Sequence, residues 1–279
     1  MRIRFLCGAA IAALLLGTIS GANAANLMPD LGAVPTGWST DRYAPNTFTD
    51  VGTYQSEPNV LGIGISSSQG YSNRPAAYQS GFYSTQGDGH AITGGAGDSL
   101  AAMLYVPTSW QDPTQGARRT DMWGVMTDAL SNVTDYPIIG FTNYGTGTAD
   151  LNSNGVTDSY IGFRVWSDAA NNGNGGWIDL SSTSVNYGGW NSLAIDFNGT
   201  SYQFLVNGVD ATSYAAASGT TAFSRVLMQA FNFYGDPNSP GAMANNYTAY
   251  WANVPEPNSL IVLSVGLLGL GFVVRRRRA

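Results

Sequence analysis

Apolar and polar residues alternate with a period of two over many short stretches of the chain, the period of strands half buried against a core. In the clearest case Leu193, Ile195 and Phe197 are set against Ser192, Ala194 and Asp196. Asn198-Gly199 follows, and then Tyr202, Phe204 and Val206 alternate with Gln203 and Leu205 up to Asn207-Gly208. Asn-Gly supplies the positive φ angles that a tight turn requires, so this stretch predicts a β-hairpin. Further strands are expected over residues 60–65, 100–106, 121–127, 138–144, 160–166, 226–234 and 247–254. No stretch between them places apolar residues at helical spacing with capping residues at its ends. Many short strands joined by glycine-rich turns predict an all-β antiparallel sandwich or jelly roll.

Both ends break this pattern with continuous apolar runs. Arg2 and Arg4 precede an apolar stretch over residues 5–19, and Ala22-Asn23-Ala24 supplies small residues for signal peptidase, predicting a signal peptide over residues 1–24. At the other end an uncharged run over residues 260–274 leads into Arg275, Arg276, Arg277 and Arg278. Four arginines form a cytoplasmic anchor, so the expected topology is C-terminus inside and the bulk of the chain outside. As a transmembrane helix the run spans about 22 Å at about 1.5 Å per residue, short against a hydrocarbon core of about 30 Å. Before it stands Val254-Pro255-Glu256-Pro257, whose prolines lack N–H groups and keep the segment extended and open to a protease.

Proline motif, apolar run and arginine cluster, in that order over residues 254–279, resemble the PEP-CTERM sorting signal, also described as an ice-binding protein C-terminal domain. The resemblance implies recognition by an exosortase-type enzyme, cleavage near Pro-Glu-Pro and delivery to the cell surface or extracellular matrix. An ice-binding surface is not expected, because no Thr-x-Thr ladder repeats along the chain.

Removing both ends leaves residues 25–253 as one expected β-sandwich ectodomain. The only cysteine, Cys7, goes with the signal peptide, so stability must come from packing rather than disulfides. Lysine is absent, and taking away the six arginines of the two ends leaves six against all 18 acids of the chain, a net charge near −12. Such a surface repels phosphate backbones and argues against a nucleic-acid partner. The segment from Trp190 to Gly208 resembles the Trp-x-x-Leu, Asn-Gly, Val-Asn-Gly hairpin of laminin-G-like and concanavalin-like jelly rolls. That fold hosts lectins, adhesion modules and glycoside hydrolases, so the site must choose the function.

Catalytic residues are sparse. Retaining glycosidases place two carboxylates about 5 Å apart. Here Glu256 belongs to the sorting motif, and Glu57 sits beside Pro58 without a strand-spaced partner. Asp121, Asp128 and Asp135 recur at seven-residue spacing and read as solvated turn residues. His90 is the only histidine and reads as a loop-tip residue, which excludes a site built on several histidines. No catalytic set is expected, and the chain reads as a non-enzyme. No cofactor is required. A candidate calcium loop runs through Asp150, Asn152, Asn154, the Val156 carbonyl and Asp158, with Gly155 at the sharp turn and Ile161 where a bidentate Glu would close the site. Trp177, Tyr187 and Tyr234, each flanked by glycine, are candidate sugar-stacking rings. The expected function is a non-catalytic surface protein associated with exopolysaccharide. Alternatives are a structural or adhesive coat protein and an atypical glycan-acting hydrolase or lyase.

Overall fold

The structure is a computed structural model that describes residues 25–144, 160–169, 175–237 and 246–255. Its strands are β1 (Trp38–Thr40), β2 (Thr47–Asp50), β3 (Leu61–Ile65), β4 (Thr85–Gly94), β5 (Ser99–Val106), β6 (Arg119–Thr127), β7 (Val133–Asp135) and β8 (Ile138–Thr142). They continue as β9 (Gly162–Ser167), β10 (Gly176–Asp179), β11 (Gly189–Phe197), β12 (Ser201–Val206), β13 (Val209–Ala215), β14 (Ala222–Phe231) and β15 (Tyr247–Asn253). Short 3-10 turns such as Ala76–Tyr78 and Gly81–Ser84 are the only helical elements among the described residues. No helix among them is long and apolar enough to cross a membrane. The signal peptide and the run over residues 260–274 lie outside the described residues.

The strands stack as an antiparallel two-sheet sandwich, as the alternation predicts. The first sheet runs β13-β12-β11-β5-β15-β3-β2, and the second β1-β4-β14-β6-β8-β9-β10 with β7 added beside β6. The predicted hairpin is β11 and β12, in register at Leu193↔Val206, Ile195↔Phe204 and Phe197↔Tyr202. Gly199 closes it at φ +97°, a backbone angle open to glycine. The inward positions of the first sheet, including Leu104, Ile195, Phe204 and Trp251, meet Met122, Phe141, Phe163 and Val226 of the second in one core.

Strand β15 ties the two layers together. It lies between β5 and β3, with Trp251 opposite Leu104 on one side and Leu61 on the other. Its inward residues carry polar tips through the core to the backbone of the other sheet. Trp251 Nε1 donates to Thr120 Oγ1 at 2.9 Å, and Thr120 Oγ1 donates to the Gln229 carbonyl at 2.8 Å. Tyr247 Oη lies 2.8 Å from the carbonyl oxygens of both Arg119 and Phe231 and accepts from Phe231 N at 3.1 Å. A buried phenol and indole that find partners add binding between layers where unpaired ones would cost it. The contacts fix β6 and β14 at the points from which Arg119, Asp121 and Gln229 project outward.

Tyr247→Phe keeps the ring and removes Oη, leaving buried carbonyls of β6 and β14 short of a partner. The expected loss is about 1–3 kcal/mol of unfolding free energy with strand content unchanged. Urea denaturation followed by circular dichroism measures it, and an unaltered midpoint would show that the cross-layer bonds are idle.

Candidate functional site

Strand β6 reads Arg119-Thr-Asp121-Met-Trp123-Gly-Val125, so its odd positions share one face and its even positions the other. Met122 and Met126 enter the inter-sheet core, while Trp123 and Val125 belong to a second apolar cluster with Ile138 and Leu227. That cluster lies on the outer face of the second sheet, and Trp166 and Trp177 pack against it.

Register extends this face across the sheet in two rows. One row runs Gly89, Leu227, Trp123, Ile138, Trp166, Trp177. The adjacent row runs Gly87, Gln229, Asp121, Gly140, Arg164, Asp179. An apolar, tryptophan-rich stripe thus borders a polar one. Gly140 is required where it stands, because a Cβ there would strike Asp121 Oδ1 and the Thr120 carbonyl. The Asp121 side chain lies over that gap.

Rings and guanidinium groups interleave above the stripes. Arg42 Cζ lies 4.3 Å from the Phe82 ring centre and 4.7 Å from that of Trp123. Trp177 takes Arg119 at 4.4 Å and Arg164 at 3.9 Å, and its ring centre is 5.6 Å from that of Trp166. All are within cation–π or edge-to-face range. Arg119 Nε donates to Asp121 Oδ2 at 2.6 Å, and Arg42 Nε lies 3.4 Å from Asp41 Oδ2. Burial lowers the Arg42 guanidinium from its ordinary value, Asp41 opposes the shift, and the like charge of Arg119 adds to it. Between these groups opens a cleft of about 350 Å³ lined by Arg42, Arg119, Trp123, Tyr136, Trp166, Asp168 and Trp177, with Thr85 and Ile138.

Asp168, which lines the cleft, is paired with the buried Asp135 behind it. The backbone N–H of Tyr136 points at both Asp135 Oδ1 (3.0 Å) and Asp168 Oδ2 (3.2 Å), which brings the two acids together. Trp166 Nε1 donates to Asp168 Oδ1 at 2.9 Å, so the pair also orients a cleft ring. Burial, and then the neighbouring Asp168 carboxyl, push Asp135 up to about 6. A buried carboxyl group beside a second one retains its proton to higher pH than a solvated one does.

The structure corrects three readings of the sequence. Asp121 and Asp135 are not solvated turn residues. Each is 1% exposed, one under Arg119 on β6 and the other bonded to Ala217 N and Tyr136 N. Asp128 alone of the three is a turn residue, accepting from Leu130 N and Asn132 N. His90 is in strand β4, its Nδ1 2.7 Å from the Ala91 carbonyl and its ring 5.4 Å from Trp38, and not at a loop tip.

The three candidate sugar-stacking rings do not converge. Trp177 lines the cleft. Tyr187 packs edge-on at 6.3 Å to Phe141 against the core, and Tyr234 follows β14 with its ring against Gly70. Asp150, Asn152, Asn154, Val156 and Asp158 lie outside the described residues, as do Glu256, Pro257 and the arginine cluster. Among the described residues no group of three His, Cys, Asp or Glu is placed to hold a metal. Sequence reading passed over Trp123, Trp166, Arg42, Arg119 and Asp168. The available signal was the period-two set Arg119, Asp121, Trp123 opposite Thr120, Met122, Gly124, which marks a strand with functional groups on its outer face.

A PEP-CTERM protein-sorting motif matches residues 253–278, as expected from the tail. It marks an exported chain directed to the cell surface and implies processing by an exosortase-type enzyme. No curated protein matches the chain in sequence. Among solved structures, the chain is similar to a Bacillus licheniformis β-glucanase at 13% identity and TM-score 0.41, covering 81% of this chain and 94% of that one. It is similar to a β-1,3-glucanase from Mycobacterium marinum at 14% identity and TM-score 0.36, covering 82% and 94%. A third is an immunostimulatory antigen and pseudo β-1,3-glucanase of Mycobacterium tuberculosis, at 14% and 0.39, covering 82% and 93%. At this level the likeness concerns architecture and does not assign chemistry to the cleft. It does remove the expectation of a non-enzyme, since the structures of similar architecture include glucanases and a glycosidic hydrolase.

The carboxyl pair sets a pH dependence. Asp135 is raised in the folded chain from the usual 3.8 to about 6, so between those values the native state holds a proton that the unfolded chain has released. Its contribution favours the fold at the acid end of that window and is lost as pH rises through about 6. Asp168→Asn is expected to bring the Asp135 titration down toward the ordinary carboxylate range, read by carboxyl-carbon NMR, and to flatten the stability profile between about pH 4 and 6.

Proposed function

We propose that this exported surface protein engages a polysaccharide in the outer-face cleft and is held in the extracellular matrix by that contact. The observation that carries the reading is the meeting of Trp123, Trp166 and Trp177, from strands β6, β9 and β10, in one recess that also contains guanidinium, carboxyl and phenol groups. Sugar rings offer flat C–H faces edged by hydroxyls. Indole faces take the first and polar side chains the second, a division typical of small-ligand recesses. The sorting motif supports the location, because it directs the chain to the surface, where such polymers accumulate.

Hydrolysis in the same cleft is a second reading, favoured by the Asp135–Asp168 pair. A carboxyl group that keeps its proton toward neutral pH is the form a general acid needs, and Asp168 lines the recess. Under this reading the proton that Asp135 retains would reach the leaving oxygen of a glycosidic bond by way of Asp168, the member of the pair that lines the recess, while water adds to the sugar carbon.

Calorimetry against a polysaccharide panel, with reducing ends assayed in the same samples, tests both readings. Trp177→Ala is expected to weaken binding at least tenfold, about 1.4 kcal/mol, with the melting temperature retained. Asp168→Asn is expected to abolish any reducing-end release while binding persists. Wild-type protein that binds no polysaccharide, yet reaches the surface, would overturn the proposal. The sorting step has its own measurement: the exported protein is expected to have an intact mass lacking the residues after the Pro-Glu-Pro region, and a mass retaining residues 258–279 would argue against cleavage.

A further inference from the structure

The arginines of the ectodomain are few and unevenly placed. Of Arg42, Arg74, Arg118, Arg119, Arg164 and Arg225, the first, fourth and fifth contact Trp123 or Trp177 on the outer face of the second sheet. A chain with six arginines and 17 acids between its two ends, a net charge near −11, thus places half of those arginines around one cleft. Exposed charges beyond about 8–10 Å are largely screened at physiological ionic strength, so a ligand in the cleft meets the local charges, these arginines together with Asp41, Asp121 and Asp168, more than the distant acids.

Arg42 and Arg119 are oriented alike. Each has its Nε toward an aspartate, Asp41 in the bend after β1 for Arg42 and Asp121 on β6 for Arg119. Each has its planar face on a tryptophan, Trp123 for Arg42 and Trp177 for Arg119. Carboxylate and ring together hold the guanidinium by its stem side. Among the described residues neither Nη1 nor Nη2 of either arginine has a hydrogen-bond partner, and both arginines line the cleft. Two forks of N–H donors are thereby directed into one recess. The nearby indole N–H of Trp123 is also without a partner. The acid on the opposite wall does not answer them, since the Asp168 oxygens already accept from Trp166 Nε1 and Tyr136 N.

Resting on the reading of the cleft as a polysaccharide site, we infer that its ligand is an anionic polysaccharide, with a sugar-borne carboxylate or sulfate held by the Nη forks of Arg42 and Arg119 while neighbouring sugar rings pack against Trp166 and the open edge of Trp177. A planar carboxylate matches the guanidinium fork with two parallel bonds, and charge-assisted bonds of this kind are about twice as strong as neutral ones. A neutral glucan could meet the free Nη donors only with hydroxyl oxygens, without the added strength of a charge-assisted bond.

The experiment compares polygalacturonate, its methyl-esterified form, dextran sulfate and unmodified dextran by calorimetry at low and physiological salt. The expected result is binding of polygalacturonate or dextran sulfate, at least tenfold loss on esterification or removal of sulfate, and weakening with salt. Preference between the first two identifies the anion as carboxylate or sulfate. Arg42→Gln is expected to cost at least tenfold for the anionic polymer, and Arg119→Lys less than Arg119→Gln. Arg42 is at the edge of the sheet and ion-paired only at 3.4 Å, so its variant stays informative if Arg119→Gln misfolds by stranding Asp121. Equal binding of dextran and the charged polymers, sensitive to Trp177→Ala and insensitive to Arg42→Gln, would overturn this inference and leave the polysaccharide reading intact. Binding of none of the four would overturn the inference, and absence of binding across the wider panel would overturn the reading beneath it.

Discussion

The cross-layer bonding of β15 is the constraint on which the rest of the molecule depends. A two-sheet sandwich without disulfides is held by side chains that fill the space between layers, and apolar burial is non-directional. Tyr247 and Trp251 supply direction by carrying hydrogen-bonding groups through the core to β6 and β14. Burial raises the Tyr247 phenol above its ordinary range, so it remains a neutral hydrogen-bonding group at any pH where the protein folds. Because the anchored atoms are backbone groups of Arg119 and Phe231, the same bonds set where the outward side chains of β6 begin.

The outer face of the second sheet follows from that placement. An exposed antiparallel face ordinarily carries scattered polar residues. This one carries Trp123, Val125, Ile138 and Leu227 as a second apolar cluster, partly covered by Trp166 and Trp177. Arg119 and Arg164 lie over the Trp177 ring, which lets charged groups sit among indoles with the attraction of a π face. The aspartates then fix each guanidinium in rotation as well as position. The result is a cleft whose groups are held before any ligand arrives, which lowers the ordering cost of binding.

How much of this was legible in the sequence differs by level. Strands whose inward residues are apolar and outward residues polar, such as β11 and β12, were read with their turn. Strand β4 was not, because Gln86-Gly-Asp-Gly-His90 shows no alternation: Gly87 and Gly89 face outward beneath Gln229, Leu227 and Arg225, and their missing side chains are the space those residues occupy. Asp121 and Asp135 were misread for a related reason. A carboxylate in a turn and one buried under an arginine or beside another acid look identical in a one-dimensional pattern. Trp177 was identified and Trp166 was not, since glycine flanks only the former. Their neighbourhood depends on the pairing of β9 with β10, a fact of register that no local pattern encodes.

The tail gains meaning from its attachment point. Asn253, the last residue of β15, donates from Nδ2 to the Pro29 carbonyl and accepts from Leu31 N, tying the end of the sandwich to its beginning. Val254 leaves the sheet and Pro255 is exposed. Pro255 cannot donate to a ladder, so pairing stops where the sorting motif starts. Every cross-layer bond of β15 lies before that stop. A cut at the proline motif therefore separates the address from the folded domain without touching Tyr247, Trp251 or the strands they fix. A motif placed a few residues earlier would instead have put the cut within the strand that positions the cleft.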